Sequence, residues 1–390
     1  MTLHYKTAGE SHGPQLTAIT SGVPAGLKIS TKDLNRDLAR RQFGHGRGGR
    51  MKIETDSGEI TAGLRHGLTL GSPISITIKN ADWKNWRAIM SIEKKDVTGN
   101  KKLVVPRPGH ADLAGVQKYG LDDIRSVLER ASARETAARV AVGAIARRIL
   151  AELDIAIVSH VVQIGRVRAR KRRLSIGDFT GVDKSTVRCL DEKAAKDMVV
   201  AINAARKAGE SLGGVFEVIA FGLPAGLGSY VSGPERLGGR IASALMSIPA
   251  IKGAELGDGF SLAATPGSKA HDEIFFDPEK GYYRKTNRSG GLEGGMTTGE
   301  PVVARACMKP IPTLTKPLNS VNMRTGKGAH AFKERSDVCA VPAAAVVGEA
   351  MIAIELARAL MEKFGGDCMT DLKESYLVYL RRLRGSWVQP

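Results

Sequence analysis

The sequence predicts an α+β fold in which two related halves each combine short antiparallel strands with a long helix. The first observation is a repeated turn, because GVPAGL at residues 22–27 recurs as GLPAGL at residues 222–227. The second is the layout of each half, in which strand-like segments with glycine-rich turns precede an alanine-rich helical segment. The third is that no GxGxxG motif follows a strand, which argues against a dinucleotide-binding fold with a regular βαβ alternation.

Two further pairs of segments support an internal duplication. The pattern GLxxGxTxGxP runs from Gly63 to Pro73 and again from Gly291 to Pro301. A weaker pair sets ERAS at residues 129–132 beside ERSD at residues 334–337, each ahead of an alanine-rich stretch. Chance turn chemistry could explain any one pair but explains three pairs in order poorly. We interpret residues 1–390 as a single domain with halves of approximately 1–200 and 201–390, related by a pseudo-twofold axis.

The best-defined helix of the first half is expected near residue 132. Ser132 and Glu135 have the spacing of a capping box, with Arg130 just before the first turn and Arg134 inside it. Free backbone amides and the positive end of the helix dipole attract anions, and two guanidinium groups add bidentate partners. For this segment alone, a solvated basic helix end is the alternative. The apolar stripe of the helix consists of Ala138, Ala141, Val142, Ile145 and Ile149.

Composition indicates a globular protein that attracts anions. The 390 residues are 42% hydrophobic and 25% charged, and the formal net charge is +18. Such a field draws in nucleic acid, a membrane surface or small phosphorylated metabolites, and charge alone does not choose among them. The four cysteines form no CxxC pair, which favours a reducing, cytoplasmic setting over a zinc knuckle or a disulfide framework. We expect neither a secretion signal nor a membrane span.

An arginine clamp is predicted between residues 39 and 51, which read ARRQFGHGRGGRM. Glycines let the backbone approach a ligand closely around Arg40, Arg41, Arg47 and Arg50, and planar guanidinium groups match carboxylate or phosphate faces. An RGG-type RNA-binding box is the rival interpretation, but such tracts usually repeat and interleave aromatic residues. Only Phe43 is aromatic here, so we favour a small ligand.

Two histidines are candidates for proton transfer. His12 lies between glycines in GESHG at residues 9–13, and His110 lies in PRPGHAD at residues 106–112. Arg107 adds charge beside His110, and Asp112 could orient its imidazole. A lone histidine is more often structural, which is the alternative for His12. The other histidines form no HxxxH or HxH spacing, so we predict no bound metal.

The second half offers matching candidates. Asp337 either caps the helix that follows it or, as the repeat partner of Ser132, faces the same cavity as a proton acceptor. Lys309 and Thr313 place a cation and a hydroxyl in a proline-rigid loop, and residues 290–295 offer backbone amides for a phosphate. The basic tracts at residues 166–173 and 381–384 are interpreted as solvated charge.

Taken together, these motifs resemble the chorismate synthase family over nearly the whole chain. They are GESHG, ARRQFGHGRGGRM, PRPGHAD, LERASARETAARVA, GGLEGG, MKPIPT and ERSDVCAVPAA. The resemblance implies a four-layer β/α/α/β sandwich with sheets outside central helices, and a homotetramer. It implies a 1,4-anti elimination of phosphate from 5-enolpyruvylshikimate 3-phosphate to give chorismate, requiring reduced FMN that an external flavin reductase or another source would supply. The departure is His45, where the family usually has tyrosine.

The resemblance also implies roles for individual residues. It assigns the catalytic roles to His12, which would protonate or hydrogen-bond the departing phosphate, to His110, which would maintain the flavin's protonation state, and to Asp337, which would assist through flavin N5. The implied substrate set is Ser11, Arg41, Arg47, Arg50, Arg107 and Arg134. The implied flavin set is Arg130, Ser132, Ala250, Gly294, Lys309, Thr313 and Arg335.

Two rival functions remain open. An RNA-binding protein could use the +18 charge and the GRGGR segment, and its affinity would then depend steeply on salt. A flavin-dependent oxidoreductase with net hydride transfer is the second. The resemblance itself implies a phosphorylated substrate and reduced FMN as partners. It implies neither nucleic acid nor a membrane.

Overall fold

The computed structural model describes residues 2–48, 55–93, 102–279, 281–332 and 337–385. The strands in chain order are β1 (His4–Ala8), β2 (Gln15–Ser21), β3 (Gly58–Ala62), β4 (Leu64–Arg65), β5 (Leu68–Thr69), β6 (Ile74–Lys79), β7 (Ala156–Ile164), β8 (Val167–Arg168), β9 (Gly214–Phe221), β10 (Ile251–Leu256), β11 (Ile274–Asp277), β12 (Gly281–Arg284), β13 (Leu292–Glu293), β14 (Met296–Thr297), β15 (Val302–Met308), β16 (Asn319–Val321) and β17 (Gly328–His330). The helices are α1 (Thr31–Gln42), α2 (Trp83–Met90), α3 (Asp112–Tyr119), α4 (Arg125–Ala131), α5 (Thr136–Ala151), α6 (Glu192–Lys207), α7 (Leu237–Met246), α8 (Gly267–Ala270), α9 (Val341–Phe364) and α10 (Met369–Gly385).

Two antiparallel sheets carry the fold, which confirms the predicted α+β class. The first has the strand order β1-β2-β6-β3, and the second has the order β10-β15-β9-β7-β8. Alternation along the strands builds the inner faces, since Ile74, Ile76 and Ile78 of β6 are all buried while their neighbours are not. Matching β1, β2, β6 and β3 to β7, β9, β15 and β10 gives the same strand order in both sheets.

The repeated sequence segments lie at matching places in the two sheets. The GxPAGL turns follow β2 and β9, and the GLxxGxTxGxP segments form the hairpins β4-β5 and β13-β14 ahead of β6 and β15. The boundary between the two halves was expected near residue 200. Strand β7 already pairs with β9, so the chain passes to the second sheet between residues 152 and 155.

Helices α5 and α9 pack against each other in the centre. Helix α5 contacts β2 and β6 of the first sheet, whereas α9 contacts β7 and β9 of the second. Small residues bring the helices close: a Cβ on Gly143 would lie only 2.3 Å from the Cβ of Ala350. No helix in the described ranges is long and apolar enough to span a bilayer.

A buried ionic cluster links the two halves beside these helices. The Glu349 side chain on α9 is fully buried and accepts hydrogen bonds from both terminal nitrogens of Arg40, each at 2.8 Å. Arg147 also donates to this carboxylate, and Arg188 lies 3.2 Å away. Arg40, which the sequence placed in the ligand clamp, is therefore used in the core instead.

The start of α5 is built as predicted, with one difference. Ser132 caps a short 3₁₀ turn, Ala133–Glu135, that leads into the helix, and its hydroxyl accepts from the backbone N–H of Arg134 at 3.3 Å. Glu135 does not close a capping box, because its carboxylate binds Thr7 and Arg139.

Helices α3 and α4 form a separate small core from Val116, Ile124 and Leu128, with Leu103, Val127, Met323 and Phe332 packed against it.

Candidate active site

A cavity of about 510 Å³ lies between the two halves, at the starts of α5 and α9. The β1-β2 turn, the loop after α1, the turn before α3 and the end of β15 complete its wall. Twelve of the predicted site residues line it: Ser11, His12, Arg41, Arg47, Arg107, His110, Ser132, Arg134, Ala250, Lys309, Thr313 and Asp337. The rest of the wall is largely apolar and includes Leu128, Ile248, Pro249, Met308, Ile311, Pro312, Ala343, Ala344 and Val347.

One buried carboxylate holds two of the arginines. Asp56, whose side chain has no exposed surface, accepts from Arg41 Nη1 at 3.1 Å and also from Arg134 Nη1. Asn80 accepts from Arg134 Nε at 3.0 Å, and Thr136 accepts from Arg41 Nε at 3.0 Å. Each guanidinium is thereby fixed on several sides, so little side-chain entropy remains to be lost when a ligand binds. Asp56 and Asn80 lie in none of the sequence motifs that point to this site.

His12 is held by a carboxylate from α4. Its Nδ1 lies 2.9 Å from Glu129 Oε2, and its backbone N–H donates to the same oxygen at 2.9 Å. The preceding residue, Ser11, donates its backbone N–H to the Glu129 carbonyl at 2.9 Å and its hydroxyl to Ser132 Oγ at 3.1 Å. With Nδ1 occupied, Nε2 is the imidazole nitrogen available to a ligand. Glu129 was noted in the sequence only as part of a repeat.

His110 is oriented by Asp112, as its motif suggested. The Asp112 Oδ1 atom lies 2.5 Å from His110 Nδ1, and Arg107 donates to the two carboxylate oxygens at 2.9 and 3.1 Å. Burial alone would raise the pKa of Asp112, but the hydrogen bonds from His110 and Arg107 outweigh it and hold that pKa well below its ordinary value. Arg107 is fixed further by Phe332, whose ring centroid lies 4.9 Å from its guanidinium carbon.

Asp337 faces the cavity and is not a helix cap. Helix α9 begins only at Val341, so the alternative role of Asp337 as a plain N-cap is wrong. The Asp337 carboxylate instead accepts from Arg47 Nη1 and from the backbone N–H of Gly48, both at 2.6 Å. These bonds join the glycine-rich loop of the first half to the second half at the cavity wall.

The end of β15 contributes the remaining cation. Lys309 donates from Nζ to the Gly109 carbonyl at 2.5 Å, and its backbone N–H donates to the Ala250 carbonyl at 3.0 Å. Ala250 has φ of +68°, a left-handed conformation that a residue with a Cβ rarely adopts. Thr313 Oγ1 accepts from Arg107 Nη1 at 3.3 Å, which connects this loop to His110.

Two predicted site residues within the described ranges do not line this cavity. Arg130 lines a neighbouring cavity of about 530 Å³, which shares Ser132 with the first, and its guanidinium donates to the carbonyls of Thr7 and Gly9. Gly294 lines neither cavity, because its hairpin β13-β14 packs against the start of α7, where the Gly295 carbonyl accepts from Leu237. Arg50 and Arg335 lie outside the described residues.

Two further positions are explained by contacts elsewhere. His45 is absent from the cavity lining, and its Nε2 lies 2.9 Å from Asn203 Oδ1 on α6. In the basic tract, Lys171 and Arg172 are exposed and paired with Asp258 and Asp178. Within the described ranges, no group of three His, Cys, Asp or Glu side chains is arranged to hold a metal ion.

The site therefore combines cations set in place by buried acids, two carboxylate-oriented histidines and an apolar wall. Such a cavity suits a multiply charged anion next to an apolar, planar partner, and the histidines can move protons. These are the features of an enzyme acting on an anionic metabolite.

Comparison with known proteins identifies the family. Residues 3–361 match the sequence model of the family described as chorismate synthase. A chorismate synthase of Desulforudis audaxviator is 55% identical over 98% of this chain and 99% of its own length. Chorismate synthase 2 of Bacillus cereus (strain ATCC 14579) is 55% identical over 96% of this chain and 98% of its own length.

A solved structure agrees with these relatives. The crystal structure of a chorismate synthase superposes with a TM-score of 0.79 at 40% identity, covering 98% of this chain and 99% of that one. The chain therefore belongs to the chorismate synthase family. It is an enzyme, a carbon–oxygen lyase acting on a phosphate ester, and forms chorismate in the shikimate pathway.

Proposed function

We propose that the enzyme converts 5-enolpyruvylshikimate 3-phosphate to chorismate and phosphate by 1,4-anti elimination, and that it requires reduced FMN without net redox change. The observation that carries the proposal is the convergence of four arginines, Lys309 and two carboxylate-bound histidines on one cavity. The family membership supports the same reaction.

Substrate binding is assigned to the arginines of the wall together with Ser11. The substrate has one phosphate and two carboxylates, and bidentate guanidinium groups match all three. Arg41 and Arg134 are fixed together by Asp56, and Arg107 is fixed by Asp112, so these donors are oriented before the ligand arrives. Arg47 and Arg50 complete the proposed set, and the latter lies outside the described residues.

His12 is proposed as the acid for the leaving phosphate. Glu129 occupies Nδ1, so the imidazole can present a proton from Nε2 to the cavity. A protonated or hydrogen-bonded phosphate leaves more readily than the fully charged group. The Glu129 side chain is fully buried beside the ring and so holds the imidazole in place.

The residues present fit a reduced flavin. The apolar wall offers a surface for a planar ring system, while Lys309 and the hydroxyls of Ser132 and Thr313 offer polar partners. When bound, reduced FMN supplies reversible electron donation to the allylic system of the substrate. We assign Ser132, Ala250, Lys309 and Thr313 to its binding. Arg130 would contribute from the adjoining cavity, and Arg335 is carried over from the family.

The last two proposed roles are proton-handling roles of His110 and Asp337. Asp112 occupies Nδ1 of His110, so His110 can hold a proton at Nε2. Asp337 is the carboxylate that borders the cavity, and we propose it as an acceptor for the proton that the ring of the substrate loses. Its bond to Arg47 Nη1 fixes the direction of this carboxylate at the cavity wall.

The assembly and setting are proposed on the same basis. We propose a four-layer β/α/α/β sandwich with duplicated halves, a homotetramer, a cytoplasmic location and an external source of reduced FMN. Supporting observations are the packing of α5 and α9 on different sheets and the shared strand order. Gly294 retains its proposed flavin role only if another copy of the chain brings it to a cavity.

An anaerobic assay with chemically reduced FMN tests the function. Chorismate and phosphate should form in equal amounts while the absorbance of reduced FMN is unchanged at the end. Net flavin oxidation would support an oxidoreductase instead, and binding of RNA with a steep salt dependence would support the nucleic-acid alternative.

Variants of the two histidines test the assignment of roles. His12→Ala and His110→Ala should lower kcat far more than they weaken substrate binding, by about 10²- to 10⁴-fold for a general acid. His271→Ala is the matched control, because His271 is exposed and lines neither cavity. Unchanged turnover in either test variant would remove that histidine from the mechanism.

A further inference from the structure

We propose that Trp86 is a positioning residue for His12, because its indole and Glu129 together hold the imidazole in the orientation that presents Nε2 to the cavity. The proposal rests on the proposed function of His12. Trp86 belongs to none of the motifs that identified the site and does not line the cavity.

The main observation is a stacked contact. The ring centroids of His12 and Trp86 are 3.8 Å apart, and the ring planes differ by 23°. At this separation the two rings lie face to face in direct van der Waals contact. The stack covers one face of the imidazole, while the Glu129 carboxylate contacts its edge at Nδ1.

Helix α2, which carries Trp86, is at most partly buried. None of its residues is fully buried, and Trp86 is part of no hydrophobic cluster in the described ranges. A tryptophan that served only to anchor the helix would be expected to bury its indole against aliphatic side chains. Here the indole is placed on a polar ring at the edge of the active site instead.

Two charged neighbours fix the indole itself. Trp86 donates from Nε1 to Asp82 Oδ2 at 2.9 Å, which sets the rotation of the ring. The guanidinium carbon of Arg125 lies 5.3 Å from the Trp86 ring centroid, within the range of a cation–π contact. Arg125 Nη1 in turn lies 3.5 Å from Glu129 Oε1. His12, Trp86, Arg125 and Glu129 therefore form a closed circle of contacts.

The circle restrains the imidazole in two independent directions. The carboxylate fixes the in-plane direction of Nδ1, and the indole opposes rotation of the ring out of that plane. A proton donor loses much of its effect when it is displaced by a fraction of an ångström to one ångström from its acceptor. A stacked pair of this kind changes a rotamer population by roughly two- to tenfold.

Kinetics of three variants on α2 test the proposal in the lyase assay. Trp86→Leu keeps apolar volume without a flat face, and kcat should fall by roughly two- to tenfold while KM changes by less than twofold. Trp86→Phe should restore most of the rate, because phenyl also stacks. Trp83→Leu is the matched control on the same helix, also half-buried, and should leave kcat unchanged.

A double variant shows whether Trp86 acts through His12. In the His12→Ala background, Trp86→Leu should cause no further loss of rate, because the group that it positions is gone. A further loss by the same factor as in the wild type would overturn the proposal. Equal effects of Trp83→Leu and Trp86→Leu, or a rise in KM without a fall in kcat, would overturn it as well.

A spectroscopic measurement separates this proposal from the reaction itself. In protein labelled with ¹³C on histidine Cε1, the His12 resonance, identified by its loss in His12→Asn, should be shifted upfield by the indole ring current. Trp86→Leu should remove that shift, and Trp83→Leu should not. A His12 resonance that does not respond to Trp86→Leu refutes the stack, whether or not chorismate is formed. Absence of chorismate from the wild-type enzyme would instead refute the proposed function.

Discussion

Replacement of the buried carboxylate on α9, Glu349→Gln, should be among the most destabilising isosteric changes in this protein. The carboxylate is fully buried and accepts hydrogen bonds from Arg40, Arg147, Arg188 and Ser159. Glutamine preserves the shape but removes the negative charge and directs an amide N–H₂ group at guanidinium groups. The buried Arg188 and the partly buried Arg40 and Arg147 would then have too little negative charge around them.

The expected cost follows from this burial. Removing one partner of a buried ion pair typically costs about 3–5 kcal/mol, because the remaining charge cannot regain its hydration. Burial alone would raise the pKa of Glu349, but the positive charges of Arg40, Arg147 and Arg188 hold it far below its ordinary value. In the unfolded chain the pKa of a glutamate is about 4.3, so the lower pKa of Glu349 in the folded protein stabilises the fold at neutral pH. This contribution is lost progressively as the pH falls below about 5 and the carboxylate of the unfolded chain becomes protonated.

Urea unfolding at pH 7 and at matched protein concentration measures the effect. The matched control is Glu362→Gln on the same helix, where a carboxylate with 42% side-chain exposure pairs with Arg240, and its cost should be about 0.2–1 kcal/mol. The difference between wild type and Glu349→Gln should also shrink as the pH falls from about 5 towards 3. A cost equal to that of the control, or a difference independent of pH, would refute the reasoning.

Three further changes test the packing and the site. Gly143→Ala should destabilise the protein by about 1–3 kcal/mol in urea unfolding, because its Cβ would lie 2.3 Å from that of Ala350, and Ala350→Gly should recover part of the loss. Asp56→Asn should raise KM for the substrate by about 10- to 100-fold in steady-state assays, because two wall arginines lose a charged hydrogen-bond partner. In Asp112→Asn, Tm should fall less steeply below about pH 5 than in the wild type, since hydrogen bonds lower the pKa of Asp112 in the folded state.

Each of these has a result that contradicts it. Gly239→Ala is the control for the helix contact, because a Cβ there meets nothing within 4 Å and the change should be neutral or stabilising. A similar response of Gly143→Ala would show that the α5-α9 crossing relaxes easily. An unchanged KM in Asp56→Asn would mean that the arginines are held without it. Parallel pH profiles of wild type and Asp112→Asn would exclude Asp112 from the acid response.

The sequence predicted features that depend on local spacing. The capping serine at residue 132 depends on contacts within a few positions of the chain, and so do the glycine-rich turns between the strands. The convergence of Ser132 and Asp337 followed from the repeat, and both residues line one cavity. The boundary near residue 200 stays a prediction, since β7 and β8 belong to the second sheet but precede the repeated turn at residue 222 and contain none of the repeated segments.

What local patterns could not predict is the set of acids that hold the arginines. Asp56 meets Arg134 across 78 positions of the chain, and Glu349 meets Arg40 across 309, so no spacing rule connects them. The physical constraint was nevertheless present, since buried guanidinium groups need buried carboxylates in a folded chain. This pairing of arginines with acids affects how the site binds its ligand. Because each wall arginine already has an acidic neighbour, the net charge of +18 overstates the attraction on a ligand, and the fixed direction of the donors must supply much of the binding.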